Sequence, residues 1–402
     1  GGGAGGGPYS GAYHFHERKA AWDIFNKWVF VSKHGPDGVR EGASDDDHGG
    51  ELGPVDPVFP SSGRSSTTKW LADQLCTAYG LRDKAGGGGV SKVAARLASS
   101  LAKECRSCAE EVTEHAARVA ERWALRLRNG RELSDSTIGI SCSEQVGEDG
   151  EASVKLTWRV EGEAADHSVE LWKEHYESLL GDYETSGHPS SLVLTRIFVM
   201  VCRYDSLSED KSAYQAALPR RMLQLLQNEI GISHEVYASP LNRFLPSFCS
   251  AFDDTDRYFG SSGSFYDFFP RTGCFQANPP FDNSSVQACF RHIGHLLSSS
   301  AEPLCFVVVV PAMDFNSSLT GAFSCCQSFS RRTVVAKAGE HAYLMGLQHR
   351  RTGGGERYWQ PEKASVIYIF QNDEGAHQWP ISDTLAGQLQ EAFREPLTHP
   401  SA

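Results

Sequence analysis

Residues Leu304 to Pro311 read LCFVVVVP, the longest unbroken apolar block in the chain. A bilayer-spanning helix needs about 18 or more such residues, so the block does not read as a membrane span, and neither does any other stretch. Its length is that of a strand buried in a sheet. From about residue 216 the pattern around it alternates helix and strand. A helix is expected at Pro219–Glu229, a strand at His234–Ala238, a helix at Leu241–Phe252 and a strand at Cys274–Ala277. A helix at Asn283–Ser299 then leads into the strand at Leu304–Val310. Strands at Arg332–Ala336 and Ala364–Phe370 form a closing hairpin, and Thr384–Arg394 makes a last helix. Such alternation is the signature of a doubly wound α/β domain.

The rest of the 402 residues divides differently. Residues 1–66 are rich in Gly, Asp, Pro and Ser and read as largely flexible, with one helical island between Tyr13 and Phe30. Residues 67–215 read as a mainly helical accessory domain. Trp70–Tyr79 and Val90–Arg128 have helical spacing, separated by Gly86–Gly89, a run that lacks the Lys-Ser/Thr of a phosphate-binding loop. Short alternating stretches between Ser136 and Asp166, such as Ser153–Val160, read as strands, and helices follow at Val169–Leu180 and Ser191–Tyr204. Residues 216–402 are then the α/β domain. The chain opens on Gly1 rather than an initiator Met and reads as part of a longer protein.

Charge and cysteines narrow the function. A net charge of -12 does not suit a general nucleic-acid binder. Arginines do pair at Arg220-Arg221, Arg331-Arg332 and Arg350-Arg351, either as solvated surface or as a grip on a few phosphates at an RNA end. The 11 cysteines are odd in number and follow no framework, which suggests free thiols in a reducing compartment. Cys105 and Cys108 have zinc-ligand spacing, but their partners would be the adjacent Cys325 and Cys326, so no metal is expected.

The chemistry concentrates in Asn278-Pro279-Pro280-Phe281, between a strand and a helix. Ligands of doubly wound sheets bind beyond the carboxyl ends of the strands. An aryl amine is a poor nucleophile because its lone pair is delocalised. The Asn278 side-chain oxygen and the Pro279 carbonyl can each accept one of its N–H groups and so aim the lone pair. Neither Pro279 nor Pro280 has an N–H to satisfy those acceptors, and Phe281 offers a face for a base. The same four residues also suit an ordinary turn. Ala238-Ser239-Pro240-Leu241-Asn242, after the first strand of the domain, is either a cofactor wall or a plain turn. Asp254-Thr255-Asp256 with Phe259-Gly260-Ser261 is either a carboxylate site for ribose hydroxyls or a solvated acidic loop.

Residues 192–395 resemble the cap-specific adenosine N6-methyltransferases, the phosphorylated-CTD-interacting factor family. The shared stretches are ASPLN (238–242), CSAF (249–252), DTD with YFGS (254–261), DF (267–268) and ANPPF (277–281). SSxEPL (299–304), EHxY (340–343), GLQH (346–349) and QND (371–373) follow in order. The resemblance implies a Rossmann-like methyltransferase core with a helical domain, and S-adenosyl-L-methionine as cofactor. It implies N6-methylation of the adenosine beside the 7-methylguanosine cap of mRNA, in the nucleus. Asn278, Pro279, Pro280 and Phe281 become catalytic. Ala238, Ser239, Pro240, Asn242, Asp256, Phe259, Gly260, Ser261 and Asn278 become cofactor-binding. Phe281, Arg331, Arg332, His349 and Arg350 are candidate contacts to the capped RNA, with Tyr343 or Trp359 as a stacking surface for its guanine. Gln276 stands where relatives carry Glu. The WW domain of the family's name is expected to be absent, so polymerase-tail binding is not carried over. The tetrapeptide alone leaves DNA adenine, cytosine N4 and protein glutamine open as targets, and a silent RNA-binding pseudoenzyme as the rival of another class.

Overall fold

Strand β7 (Leu304–Pro311) is buried from Leu304 through Val310, and its alternate side chains enter two different cores. Cys305, Val307 and Val309 join one, with Leu223, Leu226 and Ile230 of helix α3 (Arg220–Ile230) and Leu389 and Phe393 of α6 (Leu385–Thr398). Phe306, Val308 and Val310 join the other, with Phe290, Ile293 and Leu297 of α4 (Asn283–Ser299) and Leu319 and Ala322 of α5 (Ser317–Gln327). Apolar residues on both faces of a strand demand helices above and below it, and the chain supplies them.

This computed structural model describes residues 69, 71–73, 75–76, 91–104, 107, 134–147, 150–159, 166–205, 215–281, 283–312, 317–346, 349 and 357–398. Contacts divide the chain into two units, residues 1–130 with 206–210, and residues 131–205 with 211–402. In the first unit, residues 92–104 are helical, and the Ser91 hydroxyl accepts the Ala94 amide at its start. Leu71, Ala72, Cys76, Ala94 and Ala98 are buried there. The aromatic island, the Gly86–Gly89 run, most of the expected helix beyond 107, Cys105, Cys108, Arg350 and Arg351 lie outside the described residues.

The second unit opens with an antiparallel sheet of β1 (Ile140–Val146), β2 (Ala152–Trp158) and β3 (His167–Trp172). Helices α1 (Lys173–Thr185) and α2 (Val193–Asp205) follow. The Asp135 carboxylate accepts the amides of Leu194 and Thr195 and the Thr195 hydroxyl, which caps the first turn of α2.

The larger sheet has six strands in the order β5-β4-β6-β7-β11-β8. Strands β4 (His234–Ala238), β5 (Ser247–Ser250), β6 (Gly273–Ala277) and β7 run parallel. Strand β11 (Ser365–Gln371) runs antiparallel between β7 and β8 (Ser330–Ala336). Beyond β5, Phe248 forms a parallel bridge with Ser261, so residues 261–263 extend that edge. A two-stranded pair, β9 (Tyr343–Leu344) with β10 (Tyr358–Trp359), lies outside the sheet and bridges from Leu344 to Ala217.

The mixed α/β class agrees with the sequence reading, and two expected helices need correction. Residues 241–252 form a turn and strand β5 instead of a helix. Pro246 cannot donate within a helix, and the Glu235 carboxylate takes the Phe244 and Leu245 amides at 2.7 and 2.6 Å, bonds a helix would need for itself. Residues 169–172 belong to β3, because Val169 and Leu171 pair with Leu156 and Val154, and the helix begins only at Lys173. Helix α5 and the β9–β10 pair carried no pattern that the sequence reading identified.

Helices α4 and α5 meet at Gly294, where an added Cβ would lie 2.7 Å from the Cys325 carbonyl oxygen and 2.8 Å from its Cβ. Alanine is normally better than glycine in a helix by about 1 kcal/mol, but overpacking against backbone costs roughly 1–3 kcal/mol. The clash wins. Gly294→Ala is expected to lower the melting temperature by on the order of 3 °C in a calorimetric scan.

Candidate active site

Strand order reverses about β4, whose chain successor β5 lies on one side and β6 on the other. A crevice opens at such a point beyond the carboxyl ends of the strands. Three segments converge there: 238–242 after β4, 278–281 after β6, and residues 215–217 just before α3.

Asn278 follows Ala277, the last residue of β6. Its side-chain amide donates to the Ala216 carbonyl at 2.8 Å. That bond fixes which way the carboxamide faces. Its other end, Oδ1, is buried and accepts no hydrogen bond. Leaving such an acceptor unmet costs about 1–3 kcal/mol, so the fold holds it open at the expense of stability. Pro279 and Pro280 have no amide to offer it. Phe281 is half-buried, with its ring edge-on to Tyr343 at 5.5 Å and tilted toward Trp359 at 6.4 Å. Tyr343 is itself locked by a 2.7 Å hydroxyl bond with Ser365.

The 238–242 segment is knitted to itself. Asn242 Oδ1 accepts the Ser239 amide at 2.7 Å, while the Ser239 carbonyl accepts the Asn242 amide. Ser239 and Pro240 are buried, and Ala238 and Asn242 half-buried. Beneath the turn, Glu235 is buried on β4, and burial pushes its carboxyl up to about 7 despite the two amides it accepts.

The 254–261 loop follows β5 at the same edge of the sheet. Asp256 is fully buried: its carboxylate accepts the Tyr204 hydroxyl at 2.5 Å and the Thr255 hydroxyl at 2.8 Å. Burial raises it to about 6, against the hydroxyl bonds that favour the charged form. Both oxygens are therefore engaged inside the protein. Phe259 is buried beside Tyr183. Gly260 is exposed at φ +87°, with open space where a side chain would stand, and the Ser261 hydroxyl bonds to Ser250 at 2.7 Å.

The remaining candidates stand apart. Arg331 and Arg332 lie on β8, three strands from β6, or about 14 Å at ordinary strand spacing. Each is held by an aspartate, Asp373 at 2.6 Å and Asp383 at 2.9 Å. His349 is fully buried, and its carbonyl accepts the Trp172 amide. Its ring lies 3.6 Å from Asp205, but burial pushes the imidazole down to about 4, so it is neutral at pH 7. Arg350 lies outside the described residues. Sequence reasoning missed Ala216, Glu235 and Tyr204, since a backbone carbonyl and two lone residues distant in the chain leave no motif. Among the described residues no group of three His, Cys, Asp or Glu is arranged to hold a metal.

Residues 173–346 match the family described as the Phosphorylated CTD interacting factor 1 WW domain. That name differs from the expectation that the WW domain is absent, although the matched stretch consists of α1 to α5 and β4 to β9. Over 208 residues, 50% of this chain, the sequence is 34% identical to the human protein named mRNA (2'-O-methyladenosine-N(6)-)-methyltransferase. It has the same identity and span with the mouse protein of that name. The chain covers 29% of the length of each relative.

The raised Glu235 carboxyl makes stability depend on pH in a definite direction. A group held near 7 when folded and 4.5 when unfolded stabilises the folded state fully below about 4.5 and loses that contribution as pH rises through 7. Across that window the loss is about 3 kcal/mol. Glu235→Gln keeps an acceptor for the two amides without the charge. Denaturant unfolding at pH 5 and pH 8 is therefore expected to show the variant gaining on the parent as pH rises.

Proposed function

We propose that this chain carries the catalytic core of a nuclear, S-adenosyl-L-methionine-dependent methyltransferase that modifies N6 of the adenosine beside the 7-methylguanosine cap of mRNA. The observation that carries the reading is the unmet Asn278 Oδ1. A buried acceptor, fixed in direction by the Ala216 carbonyl, is what an exocyclic amino group needs opposite one of its N–H bonds. The names of the human and mouse relatives favour the cap-adjacent adenosine over DNA adenine, cytosine N4 or a glutamine amide.

The core is Rossmann-like in this reading. Its sheet order, with residues 261–263 beyond β5, follows the doubly wound arrangement, and β11 is the one reversed strand inside it. In this reading residues 216–402 supply the catalytic domain, and of the accessory region 67–215, residues 131–205 pack in the same compact unit as 211–402. The donor's walls are the 238–242 turn and the loop at Gly260, where the absence of a side chain leaves room for close approach. Asp256 and Phe259 support that wall from beneath, since both are buried. When bound, the cofactor supplies an electrophilic methyl on a sulfonium centre.

Asn278 Oδ1 accepts one N–H of the target amine, and the Pro279 carbonyl accepts the other. With both N–H bonds held, the nitrogen lone pair points out of the base plane toward the donor. The N–C bond forms as the C–S bond breaks. Of the two N–H protons held by Asn278 Oδ1 and the Pro279 carbonyl, one is then lost, while the other stays on nitrogen, bonded to its acceptor. Phe281 supports the base by stacking, while Tyr343 and Trp359 fix the ring of Phe281. No general base is required, because the amine becomes acidic only once it is methylated.

The protein incubated with labelled cofactor is expected to label capped RNA beginning with A, and neither uncapped RNA nor a capped transcript beginning with G. Asn278→Ala should reduce turnover at least about a hundredfold, the effect of removing one preorganised contact worth roughly 3 kcal/mol. Near-normal turnover in that variant removes Asn278 from the mechanism. Binding of the cofactor without methyl transfer in the parent would instead favour the pseudoenzyme. For Phe281, Trp should retain activity and Leu should lose about ten- to a hundredfold in kcat/KM, since only an aromatic face stacks. A fully active Leu variant would exclude stacking.

A further inference from the structure

Among the described residues Gln215 is the one non-glycine residue with a positive φ, +58°. An L residue with a long side chain is strained in that region and stays there only where its surroundings require it. Here the surroundings are the two loops of the candidate site. The Gln215 side-chain oxygen accepts the Ser239 hydroxyl at 3.0 Å, and its backbone carbonyl accepts the Asn242 side-chain amide at 2.9 Å. The next carbonyl, of Ala216, accepts Asn278 Nδ2 at 2.8 Å. The next residue, Ala217, is tied to Leu344 by two amide bonds of 3.2 and 2.9 Å. Two successive carbonyls thus serve two different loops, the donor side first and the acceptor side second.

From this geometry we infer that Gln215 is a positioning residue: its left-handed backbone orients the Asn278 carboxamide and ties it to the donor loop. The inference rests on the reading of Asn278 as the acceptor for the target amine. With φ in an ordinary negative region, the peptide planes after Gln215 rotate and the two carbonyls no longer face Asn242 and Asn278 together. Asn278 then loses the bond that, among the described residues, distinguishes its two ends. A half-turn of the carboxamide would present Nδ2 to the target, donor against donor, and the amine would no longer be held. The Ser239 hydroxyl on the Gln215 side chain resists that rotation from the donor side. Gln215 bonds to Ser239 and Asn242, and its effect passes to Asn278 through the adjoining Ala216 carbonyl.

The experiment compares three variants of the full chain. Gln215→Val puts a β-branched residue where positive φ is an outlier, Gln215→Asn keeps an amide and tolerates that region, and Gln215→Gly keeps the backbone but deletes the side chain. Turnover is expected to fall about a hundredfold in the Val variant, as for a displacement near 1 Å at a reacting centre. It should fall roughly fivefold to tenfold in Gly, the loss of one neutral hydrogen bond. The Asn variant should keep most of the parent's turnover. KM for capped RNA and the melting temperature should move little in Gly and Asn. A second readout needs no substrate. In protein labelled with 15N at asparagine side chains, the Asn278 NH2 signal is identified by its loss in Asn278→Ala. It should exchange slowly with solvent in the parent and in the Asn variant, and fast in the Val variant. Equal exchange protection in all variants overturns the inference. So does an Asn variant as impaired as the Val variant, with turnover tracking melting temperature throughout. If the parent methylates no capped RNA, the functional reading fails, and the exchange measurement still decides the role of Gln215.

Discussion

Burial of β7 on both faces governs where everything else in the larger sheet can go. Its backbone is paired to β6 and β11, and its side chains fill two separate cores, so no polar group can work from the middle of the sheet. The nearest places free of that restriction are the strand ends. At the carboxyl ends, loops leave the sheet with their amides unpaired and must find partners locally. The 238–242 turn does so through Ser239 and Asn242, and residues 244–245 do so through Glu235. At Asn278, just past the end of β6, a buried side-chain acceptor is left without a protein donor.

Two unmet atoms sit close in sequence on and after β6: Gln276 Nε2, buried within the strand, and Asn278 Oδ1, just past its end. The donor at 276 and the acceptor at 278 have different standing. Gln276 lies beside Glu235 in the ladder, level with a carboxyl that burial raises to about 7, so that it is charged about half the time at neutral pH. Two charged carboxyls at those neighbouring positions would repel, and a neutral amide at 276 removes that penalty. Asn278 Oδ1 instead has its direction imposed by the bond of the same carboxamide to Ala216. An acceptor aimed in advance needs no reorganisation when an N–H arrives, which is how such groups contribute to catalysis.

The accessory elements of the second unit do more than pack beside the sheet. Tyr204 at the end of α2 bonds to Asp256, Arg203 forms two bonds to Asp254, and Asp182 of α1 pairs with Arg243. Each contact lands on a loop that follows β4 or β5. The exposed Arg203–Asp254 pair contributes little by itself, whereas the buried Tyr204–Asp256 bond is costly to break because one oxygen of a buried carboxyl would lose its donor. Residues 131–205 therefore belong with 211–402 in one compact unit, and the loops after β4 and β5 are held from both the sheet and the helices.

The sequence by itself determined the α/β alternation, because hydrophobic periodicity directly records which faces are covered. The strands at His234–Ala238 and Leu304–Pro311 and the helix at Asn283–Ser299 were legible for that reason. It also determined where the candidate tetrapeptide stands, since an Asn-Pro-Pro turn between strand and helix is a local feature. The tertiary structure alone decided how Asn278 is aimed, because its partner is the backbone of Ala216, 62 residues away, and a carbonyl has no signature in the sequence. It turned residues 241–252 from an apparent helix into a turn and strand, because a carboxylate on β4 captured the amides that a helix needs. It also paired Arg331 and Arg332 with aspartates and buried His349. Basic character is visible in one dimension, but pairing with Asp373 and Asp383, and the burial of His349, arise only when distant segments meet.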